Sequence, residues 1–175
     1  MRYEQFRREY TAAGLNRSML DACPLRQFET WFEQALAAQL NDPTAMVLST
    51  VDEGGAPWQR IVLLKGLAKG SFVFYTNYRS DKARAIEREP RVSLHFPWNV
   101  LDRQVIVAGT AQKIGRQHIR ERFGDGVIPM PPFWGGYRVL PERIEFWQGG
   151  EHRLHDRFVY QRGAGRDWEI EQLQP

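Results

Sequence analysis

The stretch Glu145-Phe146-Trp147-Gln148-Gly149-Gly150-Glu151-His152-Arg153-Leu154-His155-Asp156-Arg157 decides how this chain is interpreted. An aromatic segment runs into a Gly-Gly pair, which predicts a turn because glycine permits positive φ and close approach of a ligand. If the segment beyond the turn is extended, Arg153, His155 and Arg157 point to one face, since side chains alternate along a strand. Three such groups repel one another unless an anion lies between them. The pattern therefore fits either an anion site or a charged hairpin rim.

The composition is that of a globular protein. A chain of 175 residues suits one domain with a core, and 42% hydrophobic and 13% aromatic residues argue against disorder. The net charge of +3 suits anionic small ligands as well as nucleic acid. A single cysteine, Cys23, excludes an intrachain disulfide and a cysteine-cluster metal site, so we predict no metal. Without a membrane-length apolar run or a signal peptide, the sequence predicts a soluble, cytoplasmic single domain over residues 1–175.

Two helices are predicted from apolar spacing and end signals. Pro24 suits a first helical turn, and Asn41-Asp42-Pro43 ends the pattern. Its apolar stripe consists of Leu25, Phe28, Phe32, Leu36 and Leu40, with Trp31 and Phe32 assigned to the core. A second helix is capped by Ser80 and runs to about Glu89, before Pro90.

Short strands dominate the remainder. Apolar and β-branched runs bounded by turn residues predict strands at 45–51, 58–65, 71–76, 91–96, 103–113, 143–148, 157–161 and 168–173. Residues 66–70 are predicted to connect two of them. Many short strands with few helices favour a closed or partly closed antiparallel barrel. The fold class is therefore mainly β with flanking helices.

Three motifs carry a resemblance to a known family. Phe133-Trp134-Gly135-Gly136, Ile144–Gly150 and Arg153–Arg157 resemble the C-terminal signature of the pyridoxamine 5′-phosphate oxidase family. The resemblance implies an FMN-binding split β-barrel that works as a homodimer. It also implies oxidation of pyridoxine or pyridoxamine 5′-phosphate to pyridoxal 5′-phosphate, with O2 as electron acceptor and no nucleic-acid or membrane partner.

The resemblance also implies a set of flavin-binding residues. In this sequence they are Arg60, Ile61, Val62, Leu63, Leu64, Lys65, Tyr75, Thr76, Lys82, Gln104, Trp147 and Arg157. Two of these features have a physical basis independent of the family. Arg60 and Lys65 are separated by an odd number of positions, so on one regular strand they face opposite sides. The N-terminus of the Ser80 helix offers free N–H donors and a positive dipole end, which suits a phosphate.

A second set of residues is implied for the substrate. Arg153 and His155 match the catalytic pair beside the reacting pyridine ring, and Lys65 matches a ligand of the substrate phosphate. Residues 1–20 match a lid segment that folds over the active site, in which Arg7 and Tyr10 touch the substrate. In such a site the flavin supplies the electron chemistry and the protein mainly supplies orientation.

The chain departs from the family pattern at three places. Asp81 stands where the family usually carries a second base, and Arg122 stands where it usually carries a substrate-binding tyrosine. Between Phe123 and Val127 the chain is shorter than the family, which places further substrate-phosphate ligands and a Gln-Ser pair for the flavin in that segment. An alternative is therefore a catalytically impaired split-barrel protein that binds flavin or pyridoxal phosphate.

Two further classes have weaker sequence support. A nucleic-acid binder fits the pI near 9.2, but the aromatics are not interleaved with a continuous basic stripe. A split-barrel flavin reductase that uses a nicotinamide fits the fold, but the sequence contains no glycine-rich dinucleotide fingerprint.

Overall fold

The computed structural model describes residues 10, 14–115, 133–163, 165 and 167–175. These residues belong to two compact units. Unit 1 comprises 1–43, 97–105 and 144–175, and unit 2 comprises 44–96 and 106–143. The single domain over 1–175 stays a prediction. Within the described residues, no helix combines the length and the apolar character needed to cross a membrane.

Strands form half of the described structure. The helices are α1 (Pro24–Ala37) and α2 (Asp81–Arg88), and short 3-10 turns occupy Arg17–Met19, Asn99–Leu101 and Glu151–Arg153. The strands are β1 (Ala45–Val51), β2 (Pro57–Leu63), β3 (Gly66–Ala68), β4 (Ser71–Asn77), β5 (Arg91–Trp98), β6 (Arg103–Ile114), β7 (Trp134–Gln148), β8 (Asp156–Arg162) and β9 (Trp168–Leu173). The predicted bounds of β1 and β9 are confirmed, and β3 falls in the segment predicted as a connection.

The strands form one sheet in the order β2-β1-β5-β6-β7-β4-β3, with β8 paired to β7 and β9 paired to β8. The registers are antiparallel, as predicted: β1 pairs with β2 from Ala45↔Leu63 to Val51↔Pro57, and β8 pairs with β9 from Arg157↔Leu173 to Arg162↔Trp168. Buried and half-buried residues alternate along β1, which is typical of an antiparallel sheet with one face packed on the core.

Strand β7 begins nine residues earlier than predicted, because its glycine pair lies inside the strand. Gly135 pairs with Thr76 and Gly136 pairs with Tyr75 in the β4–β7 ladder. A Cβ atom at Gly135 would lie 2.0 Å from Cζ of Tyr78, and one at Gly136 would lie 2.6 Å from Cδ1 of Tyr75. Glycine in a strand often marks such a close approach. The pair therefore makes room for two tyrosine rings.

The core of unit 2 fixes the position of α2. Phe72, Phe74 and Tyr137 are at most 1% exposed, and the Phe74 and Tyr137 rings stack with centroids 5.6 Å apart. Helix α2 packs against β1 and buries Ala83 and Ile86. Burial of an isoleucine side chain contributes about 2 kcal/mol. The N-terminus of α2 is thus held in place by its apolar face.

The predicted apolar stripe of α1 is wrong in part. The buried residues are Pro24, Gln27, Phe28, Trp31 and Ala35, whereas Leu36 is exposed. The large ring of Trp31 sets the buried face, since it packs edge-on against Phe146 at 5.1 Å. Gln27 can be buried because its Oε1 accepts a hydrogen bond from the backbone N–H of Asp21 at 2.9 Å. The assignment of Trp31 to the core is confirmed.

Helix α1 ends earlier than the Asn41-Asp42-Pro43 signal predicts. Gln39 adopts φ 53°, which is the left-handed region. Its N–H donates to the carbonyl of Leu36 at 2.9 Å, and the N–H of Leu40 donates to the carbonyl of Ala35 at 3.3 Å. This pair of bonds is a Schellman motif, which usually has glycine at the left-handed position. Because glutamine is not a usual signal for a helix end, the sequence did not predict the end of α1 at this position.

The strain at Gln39 generates a testable expectation. Gln39→Gly should stabilise the protein by about 0.5–1 kcal/mol, because glycine adopts positive φ without the steric penalty of a Cβ atom. The measurement is the urea midpoint of unfolding followed by circular dichroism. Ala38→Gly is the matched control, since Ala38 has φ −77°, and it should lower the midpoint. A lower midpoint for Gln39→Gly would show that the left-handed cap is not strained.

Candidate functional site

A cationic cluster forms in unit 2 where β2 faces α2. Arg60 lies opposite Leu48 in the β1–β2 ladder, and its Nη1 donates to the Leu48 carbonyl at 3.2 Å and to Thr50 Oγ1 at 2.7 Å. These bonds hold the guanidinium without neutralising it, and no described carboxylate lies within ion-pairing distance. Burial lowers the pKa of Arg60, which means that its charge is partly removed from water.

The first turn of α2 adds donors and a second cation to this cluster. Ser80 is the N-cap residue, but its side chain makes no capping hydrogen bond. Its Oγ is buried and has no hydrogen-bond partner among the described residues. Burial, and then repulsion from Arg60, lowers the pKa of Lys82. Together these groups form a site suited to an anion, which we call the anion seat. It consists of the unpartnered Ser80 hydroxyl, the mutually repelling cations Arg60 and Lys82, and the N-terminus of α2.

A cavity of about 520 Å³ opens beside this seat. Its volume lies in the range of small-molecule sites. The charged residues that line it are Arg60, Arg84, Arg88, Asp52, Glu53 and Asp81. Asp81 is ion-paired with Arg84 within α2, and its charge raises the pKa of both Arg60 and Lys82. Three arginines and three carboxylates thus line the cavity, and among the carboxylates Asp81 is the one whose charge acts on Arg60 and Lys82.

The remaining predicted flavin residues of unit 2 lie on β2, on β4 and between β2 and β3. Ile61 and Leu63 are exposed, Leu64 is buried, and Thr76 is buried in β4. The prediction that Arg60 and Lys65 face opposite sides of one strand is wrong, because β2 ends at Leu63. Lys65 follows that end and is exposed, with its N–H bonded to the Val73 carbonyl at 2.8 Å.

Three rings meet in unit 1 beside the Gly-Gly turn. Tyr10 lies edge-on to Trp147 at 5.8 Å and to His155 at 5.3 Å, and Trp147 and His155 lie 4.7 Å apart. A Cβ atom at Gly149 would lie 2.7 Å from Cδ1 of Tyr10. The glycine therefore admits the tyrosine ring, and the structure brings together three residues that the sequence predicted for one site.

The predicted common face of Arg153, His155 and Arg157 is wrong. The segment Glu151–Arg153 forms a 3-10 turn, in which His152 has φ 54° and Arg153 has φ 64°. Alternation along a strand therefore does not apply before β8, and Arg153 is exposed. His155 accepts a hydrogen bond from the Gly150 N–H at Nδ1, at 3.3 Å. In the neutral imidazole this bond places the proton on Nε2.

Arg157 finds its counter-charge inside the protein. Its Nε and Nη2 contact Glu145 Oε1 at 2.9 and 2.8 Å, and its Nη1 donates to the Gln174 carbonyl at 3.0 Å. Glu145 is 4% exposed. A guanidinium held by a buried carboxylate has little freedom to turn toward a second anion. Arg157 is thus held in a fixed orientation by Glu145 and Gln174.

Gln104 lines a second cavity of unit 1, of about 170 Å³, together with Tyr10 and Trp147. Its neighbour Arg103 was not singled out in the sequence. The Arg103 guanidinium lies 4.4 Å from the Trp31 ring centroid, and its Nε donates to Gln148 Oε1 at 2.8 Å. These contacts order the segment that carries Gln104. The only sign in the sequence that Arg103 orders this segment was its position next to Gln104.

Arg7, Arg122 and the shortened segment between Phe123 and Val127 lie outside the described residues. The predictions that rest on them stay predictions. Among the residues that are described, no group of three or more His, Cys, Asp or Glu side chains is arranged to hold a metal ion.

Solved structures share this fold. The chain has a TM-score of 0.87 with PhzG from Burkholderia lata 383, solved in complex with tetrahydrophenazine-1-carboxylic acid, at 22% identity and with 95% of this chain and 100% of that one covered. It has a TM-score of 0.72 with a pyridoxamine 5′-phosphate oxidase-related, FMN binding protein from Nostoc punctiforme PCC 73102, at 17% identity and with 89% and 100% covered. The fold is therefore mainly β and of the split β-barrel class, as predicted.

Sequence comparison identifies the family. Residues 32–147 match the family model described as pyridoxamine 5′-phosphate oxidase, and residues 134–175 match the one described as pyridoxine 5′-phosphate oxidase C-terminal dimerisation region. The chain belongs to the pyridoxamine 5′-phosphate oxidase family, which confirms the resemblance.

The similar curated proteins are named pyridoxine/pyridoxamine 5′-phosphate oxidase. The one from Vibrio parahaemolyticus is 45% identical over 212 positions, with 100% of both chains covered. The one from Escherichia fergusonii is 47% identical over 206 positions, with 97% of this chain and 94% of that one covered. Both alignments are longer than the 175 residues of this chain. Part of the length of these relatives therefore has no counterpart here.

The seat of unit 2 fits the phosphate of FMN. The Ser80 Oγ has no hydrogen-bond partner among the described residues, and burial lowers the pKa of both Arg60 and Lys82, which marks two partly desolvated cations. A phosphate supplies acceptor oxygens and up to two negative charges, and helix N-termini bind such groups. The residues present therefore match the chemistry of the cofactor.

An inorganic anion should report on this seat. We expect 10 mM phosphate to raise the melting temperature by about 2–4 °C more than chloride at equal ionic strength, because an anion that binds only the folded state stabilises it. Lys82→Gln should remove most of that excess. Lys69→Gln takes the same charge from the exposed β3–β4 turn of unit 2 and should leave it in place. Equal loss in the two variants would show that the effect is nonspecific.

Proposed function

We propose that this protein is an FMN-dependent oxidase that converts pyridoxine 5′-phosphate or pyridoxamine 5′-phosphate to pyridoxal 5′-phosphate, with O2 as acceptor. The observation that carries the proposal is the anion seat formed by Arg60, Ser80 and Lys82. Membership of the family and the names of the full-length relatives support the same activity. A seat with two cations and an unpartnered hydroxyl suits the phosphate of an organic cofactor.

The phosphate end of the cofactor is assigned to unit 2. Arg60 and Lys82 supply charge, and Ser80 and the first N–H groups of α2 supply hydrogen bonds. The backbone from Ile61 to Leu64, together with Tyr75 and Thr76, is proposed to flank the rest of the flavin. When bound, the flavin accepts the two electrons that the substrate loses. The protein's part is to bind and orient both molecules.

The substrate end is assigned to residues of unit 1. Arg153 and His155 are proposed to hold the reacting part of the substrate, and Tyr10 packs on His155 at 5.3 Å and fixes its ring. The hydrogen bond from Gly150 keeps Nδ1 as an acceptor and leaves Nε2–H as the donor. His155 can therefore donate a hydrogen bond from Nε2 to a substrate oxygen or nitrogen.

Several other assignments belong to this proposal. Gln104, Trp147 and Arg157 are proposed to contact the flavin, and Lys65 the substrate phosphate. The match of residues 134–175 to a dimerisation region supports a homodimer. A single domain over residues 1–175 and a cytoplasmic location complete the proposal.

A second candidate function follows from the length of the chain. The relatives' alignments exceed its 175 residues, and the shortening falls, by the family pattern, between Phe123 and Val127. A protein that lacks part of the substrate pocket could bind flavin or a B6 phosphate without turnover. Separate measurements of binding and turnover distinguish this binder from the oxidase.

Turnover is the direct test. Purified protein is incubated with FMN and pyridoxine 5′-phosphate, and formation of pyridoxal 5′-phosphate and hydrogen peroxide is followed. We expect both products in equal amounts, at a rate well above that of free FMN. Flavin binding with no turnover above that of free flavin would contradict the oxidase and support the impaired binder.

Two histidines offer a matched pair of variants. His155→Asn should lower kcat/KM by about tenfold or more, since it removes a donor positioned at the substrate. His152→Asn should change kcat/KM less than twofold, because His152 is exposed and lies outside the Tyr10–Trp147–His155 cluster. Asparagine also tolerates the positive φ of His152. Equal losses in both variants would show that His155 has no special role in the substrate site.

A further inference from the structure

We infer that Asp81 weakens the binding of phosphorylated flavin. As a result, this chain discriminates less between FMN and unphosphorylated riboflavin than it would without the charge of Asp81. The inference rests on the proposed flavin function and adds a residue that sets ligand preference. It concerns the charge at the edge of the seat, and not the seat itself.

Asp81 is the first residue of α2, directly after the orphan Ser80 hydroxyl. It lines the same cavity as Arg60. A carboxylate at this helix position is favoured by the dipole for the same reason that a phosphate is favoured there. The positive end of the α2 dipole therefore stabilises both Asp81 and a bound phosphate, and the negative charges of the two repel each other.

The ion pair with Arg84 does not remove this repulsion. The Asp81 and Arg84 side chains are 91% and 64% exposed, so solvent weakens their ion pair, and it also screens the repulsion between Asp81 and an anion, which keeps the expected effect modest. Arg84 is also held by the Arg79 carbonyl, to which its Nη1 donates at 2.8 Å. Burial lowers the pKa of Arg60 and of Lys82, and the charge of Asp81 offsets part of that lowering at both residues. The same charge acts on any anion bound between them.

The cavity contains a matched control. Glu53 is an exposed carboxylate on the same wall, yet neither Arg60 nor Lys82 has its pKa shifted by it. Glu53→Gln therefore removes one negative charge from the cavity at a position that shifts neither cation's pKa. Asp81→Asn removes the same charge beside the seat. Asparagine keeps the size and the polarity of the side chain.

The test is a flavin titration of the full chain, followed by quenching of flavin fluorescence, with FMN and riboflavin as the probes. We expect Asp81→Asn to lower the Kd for FMN about three- to tenfold and to change the Kd for riboflavin less than twofold. Glu53→Gln should change both less than twofold. The FMN gain should shrink when NaCl is raised from 50 to 500 mM, about the range over which screening becomes strong.

Each outcome decides the inference. An unchanged or weaker affinity of Asp81→Asn for FMN, or a parallel change for riboflavin, overturns it while leaving the flavin function intact. An equal gain in Glu53→Gln overturns it too, because the effect then reflects net charge alone. If neither wild-type protein nor variant binds flavin, the proposed function fails along with the inference.

Discussion

The partial burial of two cations, Arg60 and Lys82, beside the N-terminus of α2 is the constraint on which the functional structure depends. Both cations are partly withdrawn from water, and each is fixed by the scaffold: Arg60 by hydrogen bonds to β1, and Lys82 by the apolar packing of α2 against the same strand. Neither has a described carboxylate as a direct partner. Such an arrangement lowers the stability of the ligand-free protein, and it is favourable only when an anion binds. Stability given up at one place for binding is a frequent mark of a functional site.

Glycines position the aromatic rings in the rest of the molecule. Gly135 and Gly136 admit tyrosine rings at the β4–β7 ladder, and Gly149 admits the ring of Tyr10 beside Trp147. A methyl group at any of these positions would overlap ring atoms. The motifs that first pointed to a family therefore have a steric basis as well: the absence of a side chain allows flat rings to lie against the backbone. The motif at 133–136 in unit 2 and the motif at 144–150 in unit 1 both use glycine in this way.

Local patterns predicted most strands and failed where tertiary contacts decide. The alternation in β1 and the start of α2 after Ser80 were evident from the residues alone, because they depend on neighbours in sequence, although the Ser80 side chain makes no capping hydrogen bond. The end of α1 was not evident, because Gln39 adopts the left-handed conformation that glycine usually occupies at the end of a helix. The partner of Arg157 could not be predicted either: Glu145 lies on the neighbouring strand, and no spacing rule connects the two. The residues of the candidate site came largely from family resemblance, and the turn at Arg153 shows the limit of a regular strand pattern.

The central claim is that FMN binds through its phosphate at the Arg60–Ser80–Lys82 seat. The most direct measurement is the phosphorus NMR spectrum of FMN titrated with the protein. The account predicts a shifted and broadened phosphate resonance at a ratio of one flavin per chain, and its return to the free position in an Arg60→Ala variant. A resonance that stays at the free position while the isoalloxazine absorption shows bound flavin would contradict the account, because the flavin would then be held without its phosphate.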